Sequence, residues 1–427
     1  MHLAIPEDIL AAEIDVGTTS LHIEEACRVY PAHRPEVERV ALQAFLDNIR
    51  AAQRPLLILG GGVNVSNAGA VATRVAEKLG MPVVTTITGQ SAIPDTHPLS
   101  IGVIGDNGFH PHAMTALNEA DLLIYVGSKI GSVVTIGWSF PRSAGQKTIQ
   151  IDIDPDVLGN NTANIQSLCG DIRAIFERLE RELTDTVPKT TSWVTALNAA
   201  RQTFWDEVQS ETPSAADPIR PLQVVQALNA LLPAQAIVVA DAGTPTPNLT
   251  RYLRLKADGS RLIIPRAYGG LGYAIPAVVG VWAANPAVKP IGIFGDGSFN
   301  MSCGELETLR RLKVPALLIH FNNACFGWIK ALQRSHGHNQ TFSVDFSADN
   351  IAKIAEAFGL KAWHVRRADE LDAALAAGLG CDGPALIDVV VESIADISPP
   401  VFSWLKRAGR DPLSLSAGER VRVDQQA

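Results

Sequence analysis

Two polar side chains, each just past an apolar run of strand length, could together hold a divalent cation. Asp296 follows the run from Ile291 to Gly295, and Asn323 follows the run from Ala316 to Phe321. A helical pattern separates the runs, which predicts two parallel strands that end at the same edge of one sheet. Open α/β sheets bind ligands at that edge. Two hard oxygen ligands suit Mg²⁺ and leave positions for phosphate oxygens, a backbone carbonyl and water.

The residues around Asp296 are suited to phosphate binding. Gly295 and Gly297 flank the carboxylate and would let backbone approach a phosphate group closely, and a serine follows at position 298. Ser302 and Glu305 have the spacing of a capping box, which predicts that a helix begins near Ser302. The positive end of its dipole would then point at the site. A diphosphate with its metal ion is the ligand predicted for this edge.

The elements that position these residues alternate between strands and helices. Apolar runs closed by Gly or Asp and followed by helical patterns occur at Leu56–Leu59, Leu122–Val126, Thr148–Ile153, Ile237–Ala240, Ile291–Phe294 and Ala316–Phe321. This alternation predicts an α/β protein with two doubly wound parallel-sheet domains. We place the domains at 35–182 and 218–395. A polar linker at 183–217, with one helix around Trp193–Val208, joins them, and a tail follows at 396–427.

Composition limits the possible partners and compartments. The 427 residues are 47% hydrophobic and 19% charged, and the net charge of -8 includes no basic run. Nucleic acid and anionic membrane surfaces are therefore not expected as partners. Five scattered cysteines without a CxxC spacing fit a reducing compartment, so the cytoplasm is predicted. No targeting signal is recognised, and the apolar stretches are shorter than the ~20 residues of a membrane span.

The composite pattern resembles the diphosphate and metal signature of the thiamine-diphosphate (ThDP) dependent decarboxylase and acetolactate synthase superfamily. Its parts are Gly295-Asp-Gly297, the 24 residues 298–321, and Asn322-Asn323. The resemblance implies ThDP and Mg²⁺ as cofactors, with Asp296 and Asn323 as side-chain ligands of the metal. Cys325 would offer its main-chain carbonyl as a third ligand. From the residues alone, a structural turn with a strand cap is the alternative.

Two further segments resemble cofactor-binding loops of the same superfamily. The segment Ala240–Thr244 is similar to the loop at the far side of the diphosphate. The segment Gly269–Ala277 is similar to the loop that bends the cofactor into a V shape. Its sequence is close to that of benzoylformate decarboxylase. The resemblance implies Leu271 as the apolar wedge under the bend and the carbonyl of Gly269 as acceptor for the aminopyrimidine. A plain βα turn and a glycine-rich helix start are the structural alternatives. The predicted cofactor-binding residues are Gly243, Thr244, Gly269, Gly270, Leu271, Gly295, Asp296, Gly297, Ser298, Asn323, Cys325 and Phe326.

The first domain resembles the Rossmann-like central domain of the superfamily. The matching segments are Leu59–Val63, Asp121–Gly127 and Ile151–Pro155. Gly60 and Gly62 after a strand could begin a dinucleotide fingerprint, but Val65 stands where its third glycine belongs, so a scaffold role is predicted. The segment Ser128–Ser132 replaces the charged residues expected of an FAD site. The resemblance therefore gives no support for FAD.

The segment His2–Leu10 resembles the last strand and exit of the superfamily's N-terminal pyrimidine-binding domain. Residues 1–34 are accordingly interpreted as the remnant strand of that domain and a linker. Cofactor activation in this superfamily needs a carboxylic acid from that domain, which promotes removal of the thiazolium C2 proton. No matching glutamate segment is found in the chain. We therefore expect a partner subunit with the pyrimidine-binding domain and the activating glutamate, in a dimer of heterodimers.

The resemblance implies the ThDP- and Mg²⁺-binding subunit of a split acetolactate synthase-like enzyme, a 2-oxo acid decarboxylase or carboligase. The alternatives are a 2-hydroxyacyl-CoA lyase subunit and a non-catalytic cofactor-binding or regulatory module. Ile329 stands where pyruvate-decarboxylase-type enzymes place a catalytic glutamate, so acetaldehyde formation by that route is not expected. The substrate is expected to be a 2-oxo acid, an aldehyde or an acyl-CoA.

A few residues near the C-terminus could line or cover a substrate site. His336 and His338 lie in a polar segment and are candidate substrate contacts, with idle surface residues as the alternative. Trp328 and Trp404 are predicted to be packing residues. The segment Ser398–Trp404 could cover the site or form a plain surface tail.

Overall fold

Two six-stranded parallel sheets with helices on both faces form the core of the protein in a computed structural model. The structure describes residues 2–17, 22–142, 145–183, 191–210, 218–336, 340–416 and 419. The predicted class, α/β with two doubly wound parallel-sheet domains, is confirmed. Among the described residues, no helix has both the length and the apolar character needed to cross a membrane.

The first sheet has the strand order β3-β2-β1-β4-β5-β6. Its strands are β1 (Pro55–Leu59), β2 (Val83–Thr85), β3 (Ser100–Val103), β4 (Leu122–Val126), β5 (Lys147–Asp152) and β6 (Gln166–Cys169). The second sheet has the order β11-β12-β10-β9-β7-β8. Its strands are β7 (Ile237–Ala240), β8 (Arg261–Ile263), β9 (Ile291–Gly295), β10 (Leu317–Asn322), β11 (Lys361–Val365) and β12 (Ala385–Val390).

The helices cover both sheets and the connections between them. The helices before the second sheet are α1 (Glu7–Ala11), α2 (Arg39–Ala51), α3 (Gly61–Val65), α4 (Gly69–Leu79), α5 (Pro111–Glu119), α6 (Ile172–Glu182), α7 (Thr191–Ser210) and α8 (Pro221–Leu231). The later helices are α9 (Pro245–Tyr252), α10 (Ala274–Ala284), α11 (Asp296–Ser302), α12 (Glu305–Arg311), α13 (Gly327–His336), α14 (Ile351–Ala357), α15 (Ala368–Leu379) and α16 (Phe402–Arg407).

All six apolar runs identified in the sequence form strands, because a strand covered on both faces must be apolar at consecutive positions. The residues of β1 and β4 are buried throughout. The helix predicted around Trp193–Val208 is α7, so that prediction is confirmed. The edge strands β3, β6 and β8 and the short β2 have only three or four residues each, too few for a recognisable pattern.

The segment His2–Leu10, which resembles the last strand and exit of a pyrimidine-binding domain, contains no strand in the structure. Its residues are exposed, and the segment continues into the short helix α1. A strand exists only where a neighbouring strand pairs with its backbone, and no strand pairs with this segment among the described residues. Local sequence pattern could not supply that neighbour.

The glycines after β1 allow two loops to pack against each other at the switch point of the first sheet. A β-carbon on Gly60 would lie 2.3 Å from the carbonyl oxygen of Gly127, and one on Gly62 would lie 2.7 Å from Gly127 Cα. Gly127 directly follows β4. Packing therefore explains both glycines without a bound dinucleotide.

The segment after β12 connects the two domains. Ser403 donates from its backbone N–H and from its hydroxyl to the carboxylate of Asp106, at 2.7 and 2.8 Å. Val401 forms a β-bridge with Asn107. Leu405 packs in the core beside the first sheet. The tail thereby fixes a loop of the first domain close to the second.

Candidate functional site

A cavity of about 380 Å³ opens at the carboxyl edge of the second sheet. It lies where the strand order reverses between β7 and β9, the position at which open α/β sheets bind ligands. Ten of the twelve predicted cofactor-binding residues line it: Gly243, Thr244, Gly269, Leu271, Gly295, Asp296, Gly297, Ser298, Cys325 and Phe326. Gly270 lies between two lining residues, and Asn323 contacts Asp296 beside the cavity. Four separate segments of the sequence are thus brought to one site.

Oxygen atoms of the three predicted metal ligands face one another at the cavity. Asn323 Oδ1 lies 3.1 Å from Asp296 Oδ2 and 3.1 Å from the carbonyl oxygen of Cys325. Three acceptors with no proton between them repel unless a cation compensates their charge. Without a cation, the favourable arrangement is the Asn323 amide turned by 180°, in which its nitrogen donates to both oxygens. With the amide oxygen of Asn323 turned towards the other two, the three oxygens, called the oxygen cluster below, are ligands of the kind that suits Mg²⁺.

The chemistry of the oxygen cluster distinguishes it from a zinc site. Among the described residues, no group of three or more His, Cys, Asp or Glu side chains could hold a metal ion. The cluster instead has one carboxylate, one amide and one carbonyl. Hard oxygen ligands of this kind suit Mg²⁺, Ca²⁺ or Mn²⁺, whereas zinc sites use thiolate and imidazole.

The turn after β10 holds two of the three oxygens in place. Ala324, between Asn323 and Cys325, has a φ of +53°, a left-handed conformation that is uncommon for a residue with a side chain. Two backbone hydrogen bonds of 2.8 Å support it, from Phe326 N–H to the Val344 carbonyl and from Phe346 N–H to the Ala324 carbonyl. The orientation of the Cys325 carbonyl is therefore fixed by the backbone.

The helix after β9 begins at Asp296, so the prediction of a start near Ser302 is wrong. Gly295 is the N-cap of α11, and a second helix, α12, begins at Glu305. The hydroxyl of Ser302 donates to the Ser298 carbonyl at 3.0 Å and does not cap. The Ser302 and Glu305 pattern spans the junction between two short helices, which their spacing alone does not reveal. The first residues of α11 consequently line the cavity themselves.

Gly297 permits a close contact within the site. A β-carbon at this position would lie 2.2 Å from the ring of Phe326. The ring also packs against Phe346, with 4.6 Å between centroids. The ring of Phe326 therefore packs against Gly297 and closes one side of the cavity.

The carboxylate of Asp296 is buried next to the cavity. Burial raises the pKa of Asp296, while His320 and the backbone N–H of Asn323 counter part of that rise. The Asn323 N–H donates to Asp296 Oδ2 at 3.0 Å. A divalent cation here would stabilise the ionised form that burial disfavours.

Asp241 joins two of the cofactor loops, a role that the sequence reasoning missed. This buried carboxylate, directly after β7, accepts hydrogen bonds from Tyr273 N–H at 2.8 Å and Ala274 N–H at 3.3 Å. Both donors lie at the start of α10, just after Leu271. The signal in the sequence was a carboxylate immediately after a buried strand. Asp241 thus fixes the loop on which Leu271 stands.

The described residues that line the cavity include eight that were not among the predicted twelve: Asn107, Ala242, Pro245, Thr246, Arg266, Gly327, Trp328 and Ile329. Trp328 and Trp404, predicted to be packing residues, contact each other with ring centroids 4.6 Å apart, and Trp328 also lines the cavity. The tail segment therefore supports the wall formed by Trp328 and does not itself line the cavity. His336 ends α13 and its side chain is not described, and His338 lies outside the described residues.

Comparison with known proteins matches both domains. Residues 42–179 match the central domain of the thiamine pyrophosphate enzymes, and residues 241–389 match their C-terminal TPP-binding domain. Thiamine pyrophosphate, or TPP, is the same molecule as ThDP. The second match includes the loops after β7, β9 and β10 and therefore the whole oxygen cluster.

Several curated proteins are similar to the chain over most of its length. A probable acetolactate synthase large subunit of Methanococcus aeolicus is 26% identical, over 94% of this chain and 68% of the relative. An acetolactate synthase large subunit of Parasynechococcus marenigrum is 31% identical, over 88% and 61%. A sulfoacetaldehyde acetyltransferase of Alcaligenes xylosoxydans xylosoxydans is 29% identical, over 87% and 64%. The chain spans about two thirds of the length of these relatives.

We expect Asp296→Ala to abolish Mg²⁺-dependent binding of ThDP without unfolding the second domain, because one of the three ligand oxygens is lost. Calorimetric titration of ThDP with and without Mg²⁺ measures the effect, and a thermal melt confirms the fold. Asp369→Ala, which removes an exposed carboxylate of α15, is the control and should bind normally. Unchanged ThDP affinity in Asp296→Ala would contradict the metal assignment.

Proposed function

Since the chain belongs to the thiamine pyrophosphate enzyme family, through its central domain and its C-terminal TPP-binding domain, we propose that it is the ThDP- and Mg²⁺-binding subunit of an acetolactate synthase-like enzyme. The reaction is the cleavage or formation of the carbon–carbon bond next to a carbonyl, by a 2-oxo acid decarboxylase or carboligase. The proposal rests on the oxygen cluster of Asp296, Asn323 and Cys325 at the cavity. The names of the similar synthases and of the acetyltransferase support this reaction class.

The residues of the chain would bind and orient the cofactor. Asp296, Asn323 and the Cys325 carbonyl would hold Mg²⁺, and the backbone near Gly243 and Gly297 would approach the diphosphate. When bound, ThDP supplies a nucleophilic carbon and a ring that takes up electrons released from the substrate. The apolar residues Leu271, Trp328 and Ile329 line the same cavity and would exclude water from it. A 2-hydroxyacyl-CoA lyase or a non-catalytic module would be revealed by the experiments below.

The positive charge of Arg266 at the cavity supports the proposal that the substrate is an anion. It is the one basic side chain among the described residues that line the cavity, and it is half-buried. Burial lowers the pKa of Arg266, yet a guanidinium remains charged at neutral pH. Guanidinium and carboxylate groups form strong charge-assisted hydrogen bonds. We therefore assign Arg266 to the carboxylate of a 2-oxo acid.

Replacement of this guanidinium tests the substrate assignment. Arg266→Met should raise KM for the 2-oxo acid about 10- to 100-fold, since a hydrogen bond to a charged group is worth roughly 1.5–3 kcal/mol. The affinity for ThDP should stay the same. Arg261→Met is the matched control, because Arg261 is a half-buried arginine of β8 that does not line the cavity. Steady-state kinetics of the complete enzyme measure the effect, and an unchanged KM would contradict the assignment.

An apolar rim beside the cavity supports a partner subunit. Tyr268 is completely exposed, and the side chains of Leu271, Tyr273, Met301 and Ile329 are also exposed. Leu271 and Ile329 line the cavity, and Met301 lies beside Gly272 in the loop that carries Tyr268 and Tyr273. Exposed apolar residues close together in this way indicate an interaction surface. The described residues that line the cavity include no glutamate that could activate the cofactor. We propose that a pyrimidine-binding domain covers this rim, supplies the glutamate and belongs to the partner in a dimer of heterodimers.

We also assign the protein to the cytoplasm. All five cysteines are free, and Cys325 is buried beside the oxygen cluster. Proteins of reducing compartments keep their thiols in this state. Burial raises the pKa of Cys325, which keeps the thiol protonated and unreactive at neutral pH.

The requirement for a partner can be tested by reconstitution. Turnover should need both this chain and the pyrimidine-binding subunit, measured as CO₂ release and carbon–carbon ligation with a panel of 2-oxo acids and with acyl-CoA and aldehyde pairs. Tyr268→Glu should prevent assembly, as measured by light scattering. Tyr30→Glu, at an exposed tyrosine outside the rim, should not. Full turnover by this chain alone would refute the split enzyme, and turnover only with acyl-CoA pairs would favour the lyase.

A further inference from the structure

One polar side chain at the cavity is not accounted for by the predicted cofactor site. Asn107 lines the cavity from the first domain, whereas the other described residues that line it belong to the second. Its side chain is partly exposed and makes no hydrogen bond with another described residue. Ligand sites are mainly apolar, with a few polar groups that fix the orientation of the ligand. The free amide of Asn107 is therefore a candidate ligand contact.

The other polar side chains at the cavity leave few groups for a substrate. The predicted cofactor residues would contact the diphosphate and the cation. Thr246 donates its hydroxyl to the carbonyl of Asp241 at 2.9 Å. The guanidinium of Arg266 is assigned above to a carboxylate, which offers about four lone-pair sites, and a guanidinium fills two of them. The N–H groups of the Asn107 amide are donors for the sites that remain.

The tail fixes the backbone on both sides of Asn107. The N–H of Gly108 donates to the carbonyl of Pro400 at 2.9 Å. The N–H of Phe402 donates to the carbonyl of Asp106 at 2.8 Å. These two bonds flank the β-bridge that joins Asn107 to the tail. The position of Asn107 at the cavity therefore depends on the position of the tail.

The same loop packs on α9 of the second domain. Gly108 has a φ of +87°, and a β-carbon there would lie 2.6 Å from Thr250 Cβ and 2.8 Å from the carbonyl oxygen of Pro247. Glycine permits both this conformation and this close approach. α9 begins directly after Thr244, a predicted cofactor-binding residue. The loop is thereby fixed next to the cofactor site.

Ser403 adds a side-chain contact to this attachment. The carboxylate of Asp106 accepts from the N–H of Ser403 at 2.7 Å and from its hydroxyl at 2.8 Å. The residue before Asn107 is thus held through its side chain as well as its backbone. A polar group on a fixed backbone loses less conformational entropy when it binds a ligand.

We propose that Asn107 is a substrate-binding residue, which donates from its amide to the carboxylate of the 2-oxo acid that Arg266 binds. Ser403 is a positioning residue, which acts on Asn107 through Asp106. The inference rests on the proposed function for the class of substrate. It deepens that function by making the first domain a part of the substrate site.

The alternatives for Asn107 are a contact with ThDP and a loop that serves only for packing. Asn107→Asp separates these roles, because it keeps the size of the side chain but replaces the N–H donors with a negative charge. That charge repels an anionic substrate and has no such effect on a neutral aldehyde.

The test is steady-state kinetics of the complete enzyme with pyruvate, or with the 2-oxo acid of the panel that the wild type uses best, and with acetaldehyde as the neutral acceptor. Asn107→Ala should raise KM for the 2-oxo acid about 10- to 100-fold, the usual effect of losing a hydrogen bond to a charged group, and Asn107→Asp should raise it further. The KM for acetaldehyde and the calorimetric affinity for ThDP with Mg²⁺ should not change. Asn160→Asp, at an exposed asparagine of the first domain outside the cavity, is the control and should change none of these quantities.

A double-mutant cycle tests the role of the tail. Ser403→Ala should raise KM for the 2-oxo acid at least about twofold, because residues that act through each other are coupled. In the Asn107→Ala background the same substitution should have no effect on KM. An equal rise in both backgrounds would show that Ser403 does not act through Asn107.

The outcomes separate this inference from the proposed function. If the wild type turns over no 2-oxo acid of the panel, the proposed function is wrong and the inference falls with it. If the wild type is active and Asn107→Asp keeps its KM, only the role of Asn107 is overturned. A loss of ThDP affinity in the Asn107 variants assigns the residue to the cofactor and also overturns that role. If thermal melts show that Asn107→Ala does not fold, the nearly isosteric Asn107→Asp decides.

Discussion

Three oxygen acceptors, from Asp296, Asn323 and Cys325, meet where β9 and β10 end, and the rest of the site depends on this contact. Such a cluster is stable with a cation and unfavourable without one unless the amide turns. To form it, β9 and β10 must be parallel neighbours in register, as the pairing of Gly295 with Phe321 shows. The order of the second sheet and the left-handed turn at Ala324 both serve this contact.

The remaining elements hold the cavity around the oxygen cluster. Asp241 fixes the loop of Leu271 through two backbone hydrogen bonds, and Trp404 supports the wall at Trp328. The first domain contributes Asn107, whose loop is held by the tail. Among the described residues, the central domain therefore acts through packing and places one residue, Asn107, at the cavity. This division explains how one parallel-sheet domain can bind the cofactor while the other serves as its support.

Much of the fold and of the cofactor site could be predicted, because both are encoded locally. Buried strands appear in the sequence as apolar runs. Glycine, aspartate and asparagine residues that follow these runs indicate the edge of the sheet at which a ligand binds. The helix start at Asp296 was missed because the Ser302 and Glu305 pattern also fits the junction of two helices. The hydrogen bond between His320 on β10 and Asp388 on β12 forms because β12 lies between β10 and β11 in the sheet. The two residues are 68 positions apart, and no local pattern in the sequence specifies this pairing. Arg266 follows an edge strand of three residues and gave no signal of its own.

We propose that these three oxygens hold the cation, and the position of Mn²⁺ in a crystal tests this binding site most directly. Mn²⁺ accepts the same oxygen ligands as Mg²⁺, and its anomalous scattering locates it in crystals grown with ThDP and MnCl₂. We predict one peak about 2.0–2.3 Å from Asp296 Oδ2, Asn323 Oδ1 and the Cys325 carbonyl oxygen, next to the diphosphate. ThDP bound without a peak at that position, or with the Asn323 amide nitrogen turned towards Asp296, would contradict the account.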